Sequence, residues 1–537
     1  MNIFLIAFAL IILWCIFLDK LSARIGLPSL LLFILFGMLN GWIDNDFTIE
    51  DQKFVSNICT FALVFIMFYG GFGTNWKTAR PVVVESGILA TIGVFLTAGL
   101  VGAFCYYVLH WGLAESFLMG AVISSTDAAT VFSILRSRNL ALKHNTAPVL
   151  EIESGSNDPC SYMMTAGMLS VLQGTATGGQ VIWMIFSQLV FGTICGLGIA
   201  WLAIKVLKRY KLPSGFDMMF FVAVAVMAYG LPSHEHIGGN GYLSTYIVGI
   251  VLGNTEFPNR KAIVHFFDGT TSLCQIVIFY CLGYICIPDK LFAAWLPAVL
   301  IFAFITLIAR PMAVSALLMP FRKYRAHFNQ IGLVSFVGLR GAASIVFAIM
   351  TLTTTGLVDL HHDIFSTVFI IVLISILLQG SFIPAVAKMF KMTDENSDVM
   401  HTFTDFSEDS ELSFSALDID SDSSWANKTI KELKLPKSML VALIIRGKER
   451  IVPKGHTQIL SGDKVVISSF TFEDSKESAL CESHIDNDFK YLNKSVKEYA
   501  HAGETDQILL IKRGNDAIIP DGEVIFKKND TVVFLQS

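Results

Sequence analysis

The chain has 537 residues, 53% of them hydrophobic and only 15% charged, with a mean hydropathy of +0.60. That balance excludes an ordinary soluble domain and describes a polytopic membrane protein over most of its length. A net charge of −5 and a pI near 6.2 give no basis for nucleic-acid binding. The nine cysteines lie mostly inside apolar stretches, without the C-x-x-C spacing of a metal or redox centre.

Thirteen apolar stretches follow in chain order, near 2–18, 27–43, 54–73, 81–109, 117–136, 146–173, 181–207, 216–232, 239–256, 262–287, 291–319, 328–352 and 364–390. They are long enough to cross a hydrocarbon core of about 30 Å, so the predicted fold is an α-helical polytopic membrane protein. The first stretch lacks a basic leader and a small-residue cleavage site, and reads as a retained helix. Basic residues gather on alternate loops, among them Lys20 and Arg24, Arg136, Arg138 and Lys143, Lys205 to Lys211, Arg260 and Lys261, and Arg322 to Arg325. The intervening loops are acidic or nearly neutral. This pattern predicts an outside N-terminus and a cytoplasmic C-terminus.

Two polar runs interrupt the fifth and sixth stretches: Ser124-Ser125-Thr126-Asp127 and Glu153-Ser154-Gly155-Ser156-Asn157-Asp158-Pro159. An ionisable group near the bilayer centre costs roughly 2.5–3.5 kcal/mol on insertion scales, so such groups mark ion or proton sites. At about 1.5 Å per residue, Asp127, Asp158, Arg310 and Arg340 all fall near the midplane. Glu153 and Asn157 share one helix face, while Ser154 and Asp158 share the next. Asp158 and Ser154 are therefore expected to face a cavity, with Glu153 turned toward a base. Arg340 is the expected partner, because a buried guanidinium stays charged and needs a carboxylate.

The runs 124–130 and 337–344 are weak helix formers in helices of opposite direction. Two broken helices of inverted repeats, crossing at a cation site, account for both. Bland readings stand beside these. Asp127 is also a ready helix cap. His234 and His236, and His361 and His362, read as exposed loop residues. His265 and Asp268 read as packing and capping near a cytoplasmic helix end.

From about residue 394 the composition changes. A linker, 393–411, is rich in Asp, Glu and Ser, and a polar, strand-rich region follows. That region repeats at an offset of 66 to 67 residues: Trp425 to Glu432 returns as Tyr491 to Glu498, Arg446-Gly447 as Arg513-Gly514, Pro453-Lys454-Gly455 as Pro520-Asp521-Gly522, and Gly462-Asp463 as Asn529-Asp530. Two copies of one α+β module are predicted, at 412–470 and 478–537, after a transmembrane domain at 1–392.

Four motifs taken together, Ser-Ser-Thr-Asp-Ala-Ala (124–129), Glu-Ile-Glu-Ser-Gly-Ser-Asn-Asp-Pro (151–159), Ala-Arg-Pro (309–311) and Gly-Leu-Arg-Gly-Ala (338–342), resemble the NhaP-type monovalent cation:proton antiporters over roughly residues 1–390. The resemblance implies a homodimer in the bacterial inner membrane, about thirteen helices with two inverted repeats, and a core that moves against a dimerisation domain. It implies a cation and proton site at Thr126, Asp127, Ser154, Asn157 and Asp158, and a structural ion pair of Glu153 with Arg340, with Arg310 nearby. The tail modules resemble the TrkA-C (RCK-C) regulatory fold, without a Gly-rich nucleotide fingerprint. They imply a cytoplasmic regulator whose ligand is a nucleotide or cyclic di-AMP; no other cofactor, and no enzymatic activity, is expected. The combination looks most like potassium/proton antiporters, with sodium/proton exchange as the alternative. A ligand-gated cation channel is the alternative of another class, disfavoured by the lack of a Thr-Val-Gly-Tyr-Gly-like filter. In one departure, Tyr69 precedes Gly70-Gly71 where many relatives carry an acid.

Overall fold

The structure is a computed structural model that describes residues 2–394 and 412–536 apart from short loop stretches, the longest being 44–48, 355–361, 471–478, 486–490 and 502–506. Most of the linker (395–411) lies outside the described residues. So do Arg138, Lys211, Arg325, His361, Gly447, Gly514, Asn529 and residues 520–522. The chain forms two compact units, Met1–Glu408 and Asp409–Ser537.

The first unit is helical. It begins with α1 (Asn2–Ile25), α2 (Ser29–Ile43) and α3 (Ile49–Gly73), then α4 (Trp76–Ala79), α5 (Val83–Ile88) and α6 (Val94–Tyr107). Next come α7 (Leu113–Ile123) and α8 (Ala128–Ser137), separated by four non-helical residues, and the long α9 (Thr146–Leu172) and α10 (Gly178–Arg209). After α11 (Phe216–Gly230), α12 (Gly241–Gly253) and α13 (Arg260–Tyr284), α14 (Pro288–Phe304) continues into α15 (Arg310–Leu318). A second interruption separates α16 (Phe328–Phe336) from α17 (Ala342–Thr353), and α18 (Ile364–Ile374) runs on into α19 (Gly380–Met389). Among the described residues six helical runs are long and apolar enough to cross a membrane: 51–73, 80–107, 178–209, 262–284, 288–321 and 364–389. The broken helices fall short because each is two half-helices.

Three π-helical turns sit inside long runs, at Leu89–Gly93, Ile305–Ala309 and Ser375–Gln379. Such turns shift the register of a helix by one residue and frequently mark functional positions. Here the second delivers Arg310 and the third delivers Ser375 and Gln379 to the site described below.

Glycines set the closest approaches. A Cβ at Gly37 or Gly283 would overlap a carbonyl oxygen across the α2–α13 contact, and one at Gly71 or Gly249 would do so across α3–α12. These are small-residue contacts of the kind that let membrane helices pack backbone to backbone. The aromatic layer of Phe65, Phe68, Tyr69 and Phe72 on α3 surrounds the fully buried Phe267, which fixes the rotation of α13.

A short antiparallel pair joins β1 (Ala141–Leu142), in the α8–α9 connection, to β2 (Thr393–Asp394), beyond α19. Lys143 N donates to Met392 O at 2.9 Å, and Met392 is 1% exposed.

The second unit carries two four-stranded sheets. One has β3 (Leu412–Asp418), β4 (Met439–Arg446), β5 (Glu449–Ile451) and β6 (Lys464–Phe470) in the order β3-β6-β4-β5. The other has β7 (Ala479–His484), β8 (Gln507–Arg513), β9 (Asp516–Ile518) and β10 (Thr531–Gln536), with α20 (Val496–His501), in the equivalent order β7-β10-β8-β9. The likeness extends to side chains. Arg446 clamps Asp463 through Nε and Nη2, both at 2.8 Å, and Arg513 clamps Asp530 at 2.8 and 2.7 Å. The hydrogen bonds from Arg446 hold the Asp463 carboxyl below its ordinary range. At Asp530 burial pushes the other way, but the bonds from Arg513 and the Lys527 amide outweigh it.

Candidate functional site

The two helix breaks meet. Ser124 to Asp127 leave the helix after α7, and Val337 to Gly341 leave it after α16. Asp127 N donates to Leu339 O at 2.9 Å, so the backbones touch at the crossing. A Cβ on Gly341 would overlap the Asp127 carboxylate; glycine is required there for close approach.

Several groups freed by the breaks find partners at the crossing. Arg340 Nη1 donates to Ser124 O at 3.1 Å and Ser125 O at 2.8 Å, which places a positive charge at the carbonyl end of α7. Arg340 N donates to Ser375 Oγ at 3.1 Å, Ser375 Oγ to Gln379 Oε1 at 2.6 Å, and Gln379 Nε2 to Phe336 O at 3.2 Å. Asp127 caps α8: its carboxylate accepts from Thr130 N at 3.2 Å and Thr130 Oγ1 at 2.7 Å. The capping role weighed for Asp127 in the sequence is therefore present alongside its place at the crossing.

α9 supplies the other wall. Ser125 Oγ donates a short hydrogen bond to Asp158 Oδ1. Ser154 Oγ donates to Thr126 O at 2.6 Å, and Asn157 Nδ2 to Thr126 Oγ1 at 2.6 Å. A cavity opens on this assembly, and Ser125, Thr126, Asp127, Ser154 and Asp158 all line it. Asn157 does not; it is fully buried and positions Thr126 from behind. Pro159 lies inside α9, and its carbonyl accepts from Asn240 Nδ2 at 3.0 Å.

The ion pair differs from the sequence expectation. Glu153 Oε1 lies 2.5 Å from Arg310 Nη1, with both residues at most 3% exposed, while Arg340 is engaged with the α7 carbonyls. Depth alone left two arginines equivalent, and the π turn ahead of Arg310 decides between them. Asp268 is a second correction. It is not a cap: it lines the cavity from α13 and accepts from Tyr69 Oη at 3.3 Å. Glu151 and Thr271 line the same cavity and were not singled out in the sequence. Asp268 also lies inside an apolar run (262–287), and its place near the start of that run is what suggested a cap. His362 is a third. It is half-buried, 3.0 Å from Glu115 Oε2 and stacked on Trp111. His234 and His236 are exposed. Among the described residues no group of three or more His, Cys, Asp or Glu could hold a metal ion.

With this geometry in place, residues 6–389 match the family described as sodium/hydrogen exchanger, transmembrane. The chain belongs to that family. Within the exchanger family, it is 32% identical over 476 residues to the K(+)/H(+) antiporter NhaP of Alkalimonas amylolytica, covering 87% of this chain and 81% of the relative. It is 31% identical over 471 residues to K(+)/H(+) antiporter NhaP2 of Shewanella oneidensis, covering 86% and 80%. The solved structure of the sodium proton antiporter MjNhaP1 from Methanocaldococcus jannaschii at pH 8 superposes with a TM-score of 0.63 at 22% identity, covering 72% of this exchanger and 97% of that chain. At that identity the likeness is one of fold. Residues 414–469 match the TrkA-C domain.

Proposed function

We infer that the protein is a secondary antiporter that exchanges a monovalent cation for H+ by alternating access. The observation that carries this reading is Asp158: a 6% exposed carboxylate on a cavity wall, hydrogen-bonded by Ser125 where two helix breaks cross. A buried carboxylate can be neutralised by a proton or by a cation, and not by both at once. An empty charged site is costly to carry through an apolar barrier, whereas a filled one is not, and that difference couples the two fluxes. Thr126, Asp127 and Ser154 complete the oxygen-rich site, and Asn157 orients Thr126. Glu153 with Arg310, and Arg340 on the α7 carbonyls, hold the crossing. K+ is the cation favoured, from the names of the relatives at 31–32% identity, with Na+ as the competitor.

The same reading has about thirteen spans in two inverted repeats, a homodimer, an outside N-terminus and a cytoplasmic C-terminus in the bacterial inner membrane. The two sheet modules serve as a regulatory tail, with a nucleotide or cyclic di-AMP as candidate ligand. A ligand biases transport only by binding its two states unequally. Proton flux in proteoliposomes, with K+ and Na+ compared across pH, with and without a membrane potential, tests the reading. Cation-dependent proton movement that is lost in Asp158→Asn is expected. Cation flux without proton coupling would replace the antiporter with a channel.

A further inference from the structure

The cavity has a second wall that the site above does not use. It is formed by α3, which contributes Tyr69 and the bare backbone of Gly70 and Gly73, and by α13, which contributes Asp268 and Thr271. A Cβ on Gly70 or Gly73 would meet nothing within 4 Å, so this wall is open space. Asp268 and Thr271 are three residues apart on a helix and share a face. Phe267 is locked among the α3 aromatics, so that face is fixed toward the cavity.

Thr271 carries the inference. Threonine inside a helix ordinarily returns its hydroxyl to the carbonyl four residues back. Thr270 does so, donating to Phe266 O at 2.7 Å. Thr271 is only 9% exposed, lines the cavity, and its Oγ1 has no partner among the described residues. An unsatisfied buried hydroxyl is costly unless a ligand fills it. Beside it, Tyr69 Oη occupies Asp268 Oδ1 and holds the carboxylate in one orientation. Asp127, Glu151, Asp158 and Asp268 all line the cavity, and among the described residues none of its lining is basic.

We propose that Asp268 and Thr271, oriented by Tyr69, form a second monovalent-cation subsite on the α13 wall, which loads the ion before it passes to Asp158. The proposal rests on the antiport reading. Asp268 lies about two turns from the Arg260 end of α13 and about one turn short of its middle. A carboxylate there raises the local cation concentration on the path to the buried site.

Steady-state exchange by the full chain in proteoliposomes, with K+ and Na+ varied at fixed pH, tests the subsite. Asp268→Asn should raise the apparent KM for the cation about fivefold and Thr271→Val about twofold, with the maximal rate falling less than KM rises. Asp268→Glu should recover most of the loss, and Tyr69→Phe should lie between wild type and Asp268→Asn. A KM within experimental error of wild type in both Asp268→Asn and Thr271→Val overturns the subsite. So does a loss of maximal rate and melting temperature that Asp268→Glu fails to rescue, because that pattern belongs to a packing role. Absence of exchange in the wild-type protein under these conditions would remove the antiport reading itself, and the subsite with it.

Discussion

At the scale of residues, the chemistry was legible in the two polar runs of the fifth and sixth stretches, but not at Asp268, which also lies inside an apolar run. Asp127, Glu153 and Asp158 stood out because desolvation is costly for a carboxylate and not for the apolar residues around it. The partner of Glu153 was not legible. Helix periodicity gives the face of a side chain but not which of two arginines at one depth will reach it, and a one-residue π shift settles that. Thr271 was invisible for a related reason: an unpaired hydroxyl is a property of packing, not of composition. Asp158→Asn should keep the fold and reduce exchange below about a tenth of wild type; retention of more would exclude Asp158 as the shared site. Glu153→Gln leaves Arg310 charged and buried, and should cost about 3–5 kcal/mol in detergent melting. The double variant Glu153→Gln/Arg310→Gln should lose less than the sum of its singles, with a coupling larger than that of Glu153→Gln/Arg340→Gln. Equal couplings would contradict the pairing.

At the scale of elements, the two breaks and their crossing were foreseeable from weak helix formers in helices of opposite direction, although the bonds that join them were not. The contact depends on the Asp127 amide finding the Leu339 carbonyl, and on the empty side of Gly341. Gly341→Ala should therefore displace the Asp127 carboxylate and lower both exchange and melting temperature, unlike alanine at the open position Gly70. Asp127 separates two duties cleanly. Asparagine caps helices as well as aspartate does, whereas alanine costs about 1 kcal/mol. Asp127→Asn should melt like wild type while impairing transport, and Asp127→Ala should suffer in both assays. If Asp127→Asn transports normally, the residue is a cap alone.

At the scale of the whole molecule, the repeat at an offset of 66 to 67 residues anticipated two sheets of one topology, because each Arg-Asp clamp recurs with its strands. Asp463 and Asp530 titrate below their ordinary value of 3.8 when folded. A depressed folded value stabilises above the unfolded value and is lost as pH falls through the folded one. Tail unfolding, followed by circular dichroism, should thus steepen below pH 3.8, and Arg446→Gln should weaken that acid dependence. The β1–β2 pair has a consequence for the whole chain. Residue 394, where the linker departs, is stitched to the connection between the half-helix capped by Asp127 and the helix that bears Asp158. Residues 393 and 394 are thus tied to the hairpin that holds both acids. The stitch also sets where the two functions can be severed: a chain ending at Asp394 keeps the seam closed, and one ending at Met392 leaves it unsewn.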